Sequence, residues 1–111
     1  MKLNVEYLTL GLKIVQSITQ IKPLSSLSFS LSEEGVDAAN EVMALTEWGL
    51  GKNAFKLKQS ALGVFNYILK HPKGAPININ LTESEIKAMK KVMNLIERSL
   101  NKRTTGVSPL Q

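Results

Sequence analysis

The chain of 111 residues contains no cysteine and a single histidine, His71. The first absence excludes disulfides, zinc–thiolate centres and cysteine nucleophiles. It also agrees with a reducing compartment, and a cytoplasmic protein is expected. No apolar run approaches the ~18 residues of a membrane span. The opening Met1-Lys2-Leu3-Asn4-Val5-Glu6 could begin a secretory leader, but Lys13, Gln16 and Gln20 interrupt the stretch behind it. No small-residue cleavage site follows.

Catalytic signatures are equally scarce. His71 stands at a helix end before Pro72, where a cation suits the dipole, and no serine or carboxylate motif accompanies it. Glu33, Glu34, Asp37 and Glu41 follow a helix start and lack the spacing and glycine of a calcium loop. Gly49-Leu50-Gly51-Lys52 lacks the spacing and the Ser/Thr of a phosphate loop and reads as a helix stop. A non-enzymatic protein without metal or cofactor is expected.

What the sequence has is a repeat. Shifted by fifty residues without a gap, residues 31–52 match residues 81–102 at nine of twenty-two positions. The identities are Leu31/Leu81, Glu33/Glu83, Ala38/Ala88, Val42/Val92, Met43/Met93, Leu45/Leu95, Glu47/Glu97, Leu50/Leu100 and Lys52/Lys102. Leu12/Leu62 and Ile18/Ile68 extend the match upstream. Charge has diverged where the core pattern has not. Residues 1–50 carry a formal −3 and residues 51–111 a formal +8. Such asymmetry points to an acidic partner, nucleic acid above all, or to the opposite half of another copy.

Each copy reads as helix, strand, helix. Leu27-Ser28-Phe29-Ser30-Leu31 and Ile77-Asn78-Ile79-Asn80-Leu81 alternate apolar and polar residues, the period of a strand with one buried face. Thr82-Glu83-Ser84-Glu85 is a capping box opening a helix over about 83–102, whose Ile86, Met89, Met93, Ile96 and Leu100 share one face. Its counterpart spans about 33–48. A third helix covers about 54–70 before Pro72. The first, about 4–21, is ambiguous because Leu8, Leu10, Leu12 and Ile14 alternate as in a strand. Its repeat partner favours helix.

The expected fold is therefore α+β and mostly helical, a tandem helix-strand-helix repeat with two short antiparallel strands and four helices about a pseudo-twofold. One compact domain over 1–103 is expected, built from repeats of about 4–52 and 54–103, with 104–111 a flexible tail. Pairing of the strands between two chains is the alternative, since an open edge invites a partner.

A strand with polar outward residues, a capped helix, the turn Gly49-Leu50-Gly51-Lys52-Asn53 and a second helix, in that order over 27–70, resembles the ribbon-helix-helix DNA-binding family. Residues 77–102 repeat its first half, and residues 4–21 could supply the last helix in a permuted, single-chain version. The resemblance implies that Ser28, Ser30, Asn78 and Asn80 read bases, Asn by bidentate pairing with adenine. It also implies that the helix N-terminus behind Lys52 and Asn53 clamps a phosphate.

Two surfaces follow from the charge pattern. Lys87, Lys91, Arg98 and Lys102 fall within about 60° of helix arc, a stripe suited to phosphates or to solvent. The same positions in the first copy are Asp37, Glu41, Trp48 and Lys52, with Leu45 near the stripe centre. Trp48 is expected as a half-buried rim residue, and if exposed beside Leu45 as an interface anchor. The leading expectation is a small DNA-binding regulator. The alternative is a protein-binding adaptor or inhibitor of the phage or mobile-element accessory type, using Asp37, Glu41, Leu45 and Trp48. Docking of acidic on basic stripes could also build a homo-oligomer.

Overall fold

The computed structural model describes residues 4–51 and 54–105, with side chains through Asn101. Four helices and two strands follow one another as α1 (Val5–Thr19), β1 (Ser26–Phe29), α2 (Glu33–Gly49), α3 (Phe55–Leu69), β2 (Ile77–Asn80) and α4 (Glu83–Thr105). The helix-strand-helix order thus occurs twice. The first segment is a helix, as its repeat partner implied. Asn4 caps it by accepting from the amides of Glu6 and Tyr7. Leu8, Gly11, Val15 and Ile18 form its buried face, so the leucine alternation is incidental.

Local chemistry sets the other boundaries. The Ser32 hydroxyl accepts from the Gly35 amide at the start of α2. In α4 the capping box closes reciprocally: the Thr82 hydroxyl accepts from the Glu85 amide at 3.2 Å, and the Glu85 carboxylate accepts from the Thr82 amide at 2.9 Å. Pro23 and Pro72 follow the ends of α1 and α3. The chain then turns through left-handed residues at equivalent places, Leu24 (φ 66°) and Gly74 (φ 81°).

The strands pair with each other inside one chain, antiparallel, in the register Ser26–Asn80, Leu27–Ile79, Ser28–Asn78 and Phe29–Ile77. Ser28 therefore lies opposite its own repeat counterpart, and the pseudo-twofold passes between them. Two further bonds obey the same symmetry. The Leu24 amide donates to the Leu81 carbonyl at 2.9 Å, and the Gly74 amide donates to the Leu31 carbonyl at 2.8 Å.

A single hydrophobic core joins all six elements. α1 packs on α2 and α4, α3 packs on the same two helices, and α2 meets α4. Phe65, Leu8, Ile18, Leu45, Ile68, Ile77, Leu81, Met89 and Ile96 are its largest fully buried side chains. Each such side chain is worth about 1.5–3 kcal/mol of burial. α1 packs tightly on α2 at Gly11, where a Cβ would stand 2.3 Å from Val42 Cγ2.

Candidate interaction surfaces

The outward face of the ribbon presents Ser26, Ser28, Ser30, Asn78 and Asn80, all exposed. The apolar alternates Ile77 and Ile79 are buried beneath. None of the five outward residues is charged. The Ser28 hydroxyl donates to the Asn78 side-chain oxygen. The neighbouring pair Ser26–Asn80 belongs to the same face. β1 starts one residue earlier than the alternation from Leu27 implies, which adds Ser26 to this face.

The ribbon's underside meets the C-terminal halves of α1 and α3. The Tyr67 hydroxyl donates to the Asn78 carbonyl at 2.7 Å. Tyr67 is itself held in a small cluster. Lys70 Nζ lies 4.7 Å from its ring centroid, the His71 ring packs edge-on at 5.1 Å, and His71 Nδ1 is 2.9 Å from the Tyr67 carbonyl oxygen. His71 thus has a packing role at the end of α3. Gly63 and Val64 of α3 also lie beside the ribbon, next to Ser26, Ile79 and Asn80. Lys52 and Asn53, named for the expected phosphate clamp, lie outside the described residues. α3 begins at Phe55 without a side-chain cap from Ala54.

Lys87, Lys91 and Arg98 are exposed along α4, and the Lys102 side chain lies outside the described residues. Lys91 and Arg98 border an open groove of about 770 Å³ that also touches Leu12, Asn94 and Leu50. Among the described residues none of these three cations forms an ion pair. The one bridge recorded among the described residues joins Lys73 to Glu33 at 3.5 Å, both exposed. Such a surface pair contributes little.

The acidic face of α2 differs from the expectation. Leu45 is fully buried and cannot form part of an exposed interface, because α2 is covered by α1, α3 and α4. Trp48, expected to be half-buried, is 71% exposed. Phe55, just across the α2–α3 turn, is 62% exposed. Asp37 and Glu41 are occupied within the chain. Glu41 accepts from the Asn4 amide at the start of α1, and Asp37 accepts from the Tyr7 hydroxyl at 3.5 Å. Tyr7 is held above the ordinary phenol pKa by the facing Asp37 carboxylate, then by partial burial, with Glu34 and Glu41 adding to it. The acids thus serve the positive end of α1. Their repeat counterparts, Lys87 and Lys91, could not play that part for α3.

Among the described residues no group of three or more His, Asp or Glu side chains is placed to hold a metal ion. No helix among them is long and apolar enough to cross a membrane. No family model, curated protein or solved structure matches the chain.

Proposed function

We propose that the protein is a non-enzymatic DNA-binding regulator that reads its site with the outward face of the ribbon. One observation carries the reading: Ser26, Ser28, Ser30, Asn78 and Asn80 form a continuous exposed polar face on a two-stranded antiparallel ribbon. A ribbon of this width fits the major groove, and a fixed Asn amide suits adenine. The exposed Lys87, Lys91 and Arg98 supply sequence-independent attraction to phosphates. The ribbon-helix-helix resemblance supports the same reading, with the second helix of one half supplied by α1. Anisotropy titration of labelled duplex DNA tests it. Asn78→Ala/Asn80→Ala should weaken preference for a selected site, and Lys87→Glu/Lys91→Glu should weaken all binding and flatten its salt dependence. Absence of binding at low salt, or indifference to the asparagine pair, overturns the reading.

A second reading rests on the exposure of Trp48. A solvated indole near the end of α2, with an exposed Phe55 opening α3, is the residue type that anchors protein interfaces. In this reading the protein is an adaptor or inhibitor, with Trp48 rather than Leu45 as its anchor and Asp37 and Glu41 on the same helix. Trp48 is the only tryptophan, so its fluorescence reports such binding directly.

A further inference from the structure

The two halves differ at the edges of the ribbon. Residue parity is fixed by the Leu31 and Leu81 carbonyls, which accept bonds from amides just before the partner strand. Backbone groups alternate along a strand, so Leu27, Phe29, Ile77 and Ile79 spend theirs within the ribbon. Those of Ser28 and Asn78 point away from it. On the β2 edge, Tyr67 covers the Asn78 carbonyl. The repeat counterpart of Tyr67 is Ser17, too short to reach, and its hydroxyl donates to the Lys13 carbonyl of its own helix at 3.0 Å. Among the described residues the Ser28 edge has no such cover.

The same strand is also incompletely buried. Ile77 and Ile79 are 1% and 5% exposed, whereas their counterparts Leu27 and Phe29 are only half-buried. A cleft of about 320 Å³ opens beside them, lined by Ile14, Ser17, Ile18, Leu27 and Phe29, with Lys13 among its walls. An uncovered strand edge beside under-buried apolar residues is a template for another strand.

We propose that β1 pairs with β1 of a second copy, giving a four-stranded antiparallel sheet across a closed dimer. The strand is self-complementary for this purpose. Antiparallel pairing centred on Ser28 sets Leu27 of one copy against Phe29 of the other on the core face. It sets serine against serine on the outer face. Residues 26–30 carry no charge to oppose it. The twofold closes the assembly, because each protomer has one open edge and one edge covered by Tyr67. The proposal does not depend on the DNA reading.

Light scattering coupled to size exclusion tests it, with circular dichroism as the control for folding. The wild-type chain should be dimeric. Ser17→Tyr, which gives the open edge the cover that β2 has, should return the mass to that of one chain. Ser28→Pro, which removes the edge N–H, should do the same. Tyr67→Ser opens the second edge, and the mass should then grow with concentration instead of stopping at two chains. Salt should leave the dimer intact or strengthen it, since Lys13 of each copy approaches the seam. A dimer that salt dissolves and Lys87→Glu/Lys91→Glu abolishes is the stripe-docked assembly, and it overturns the proposal. So does a monomeric wild type, or a dimer that persists in both Ser17→Tyr and Ser28→Pro.

Discussion

Ser28 and Asn78 stand fifty residues apart in sequence and directly opposite each other in the ribbon, joined by a side-chain hydrogen bond. Each occupies the position in its repeat that the other occupies in the second. The relationship fixes the symmetry axis of the molecule on one pair of side chains. It also shows how the symmetry is broken, because a serine on one side of the axis orients an asparagine on the other.

The two left-handed turn residues should respond oppositely to substitution. Leu24 adopts φ 66° while 74% exposed, so its side chain gains little burial to set against the conformation. The αL region costs a non-glycine residue about 1–2 kcal/mol, and glycine gives back about 0.4–1 kcal/mol through the freer unfolded chain. Leu24→Gly should therefore stabilise by roughly 0.5 kcal/mol, and Gly74→Ala should destabilise by about 1 kcal/mol. Paired urea denaturations measure both.

Close approach of α1 and α2 makes Gly11 intolerant of any side chain. An added Cβ would lie 2.3 Å from Val42 Cγ2 and 3.5 Å from the Ala38 carbonyl oxygen. Gly11→Ala should cost about 1–3 kcal/mol despite the better helix propensity of alanine. Val42→Ala in the same chain should recover part of that loss. A double-mutant cycle gives the coupling, and additive losses would show that the helices do not meet at this point.

Tyr7 should carry a pH dependence. Its folded pKa lies above the unfolded value of about 10, chiefly because ionising it would set a phenolate beside Asp37. A raised folded value means that the stability contribution is whole below the unfolded pKa and is lost as the pH rises through the folded one. Alkaline unfolding should begin earlier than it does in Tyr7→Phe. Phenolate absorbance, followed in a Tyr67→Phe background so that one tyrosine remains, should titrate at lower pH once Asp37→Asn is introduced.

The capping box of α4 should outweigh the simpler cap of α2. Thr82→Ala removes an acceptor for the Glu85 amide and unfastens the return bond from Glu85. A loss of about 1 kcal/mol is expected. Ser32→Ala removes a single bond at 3.1 Å and should cost less. Thermal melts of the two variants rank them.

The architecture was readable because the apolar positions are retained in both copies while the surface has drifted. Strand alternation, capping signals and the fifty-residue offset together give element order, strand partners and the outward face. The first helix was resolved only by its counterpart, since leucines at every second position satisfy both periods. Leu45 was misplaced because helical spacing assumes one buried stripe, and α2 is covered from three directions. Trp48 was misplaced because its burial depends on what lies opposite the end of α2. Tyr67 left no mark in any periodicity. Its role appears when the copies are subtracted and a tyrosine remains where the other has a serine. Asp37 and Glu41 read as a free acidic surface, because nothing local to α2 shows that the start of α1 arrives there.

Carrying both strands of the ribbon on one chain has a thermodynamic consequence. Two separate half-size subunits would meet by mass action, and dilution would unfold them. Tethered, they meet at an effective concentration set by the connecting turn, and their union is first-order. A substitution also strikes only one of the two strands, whereas in a homodimer it would strike both. A chain built this way can afford an edge that is shut on one side and open on the other.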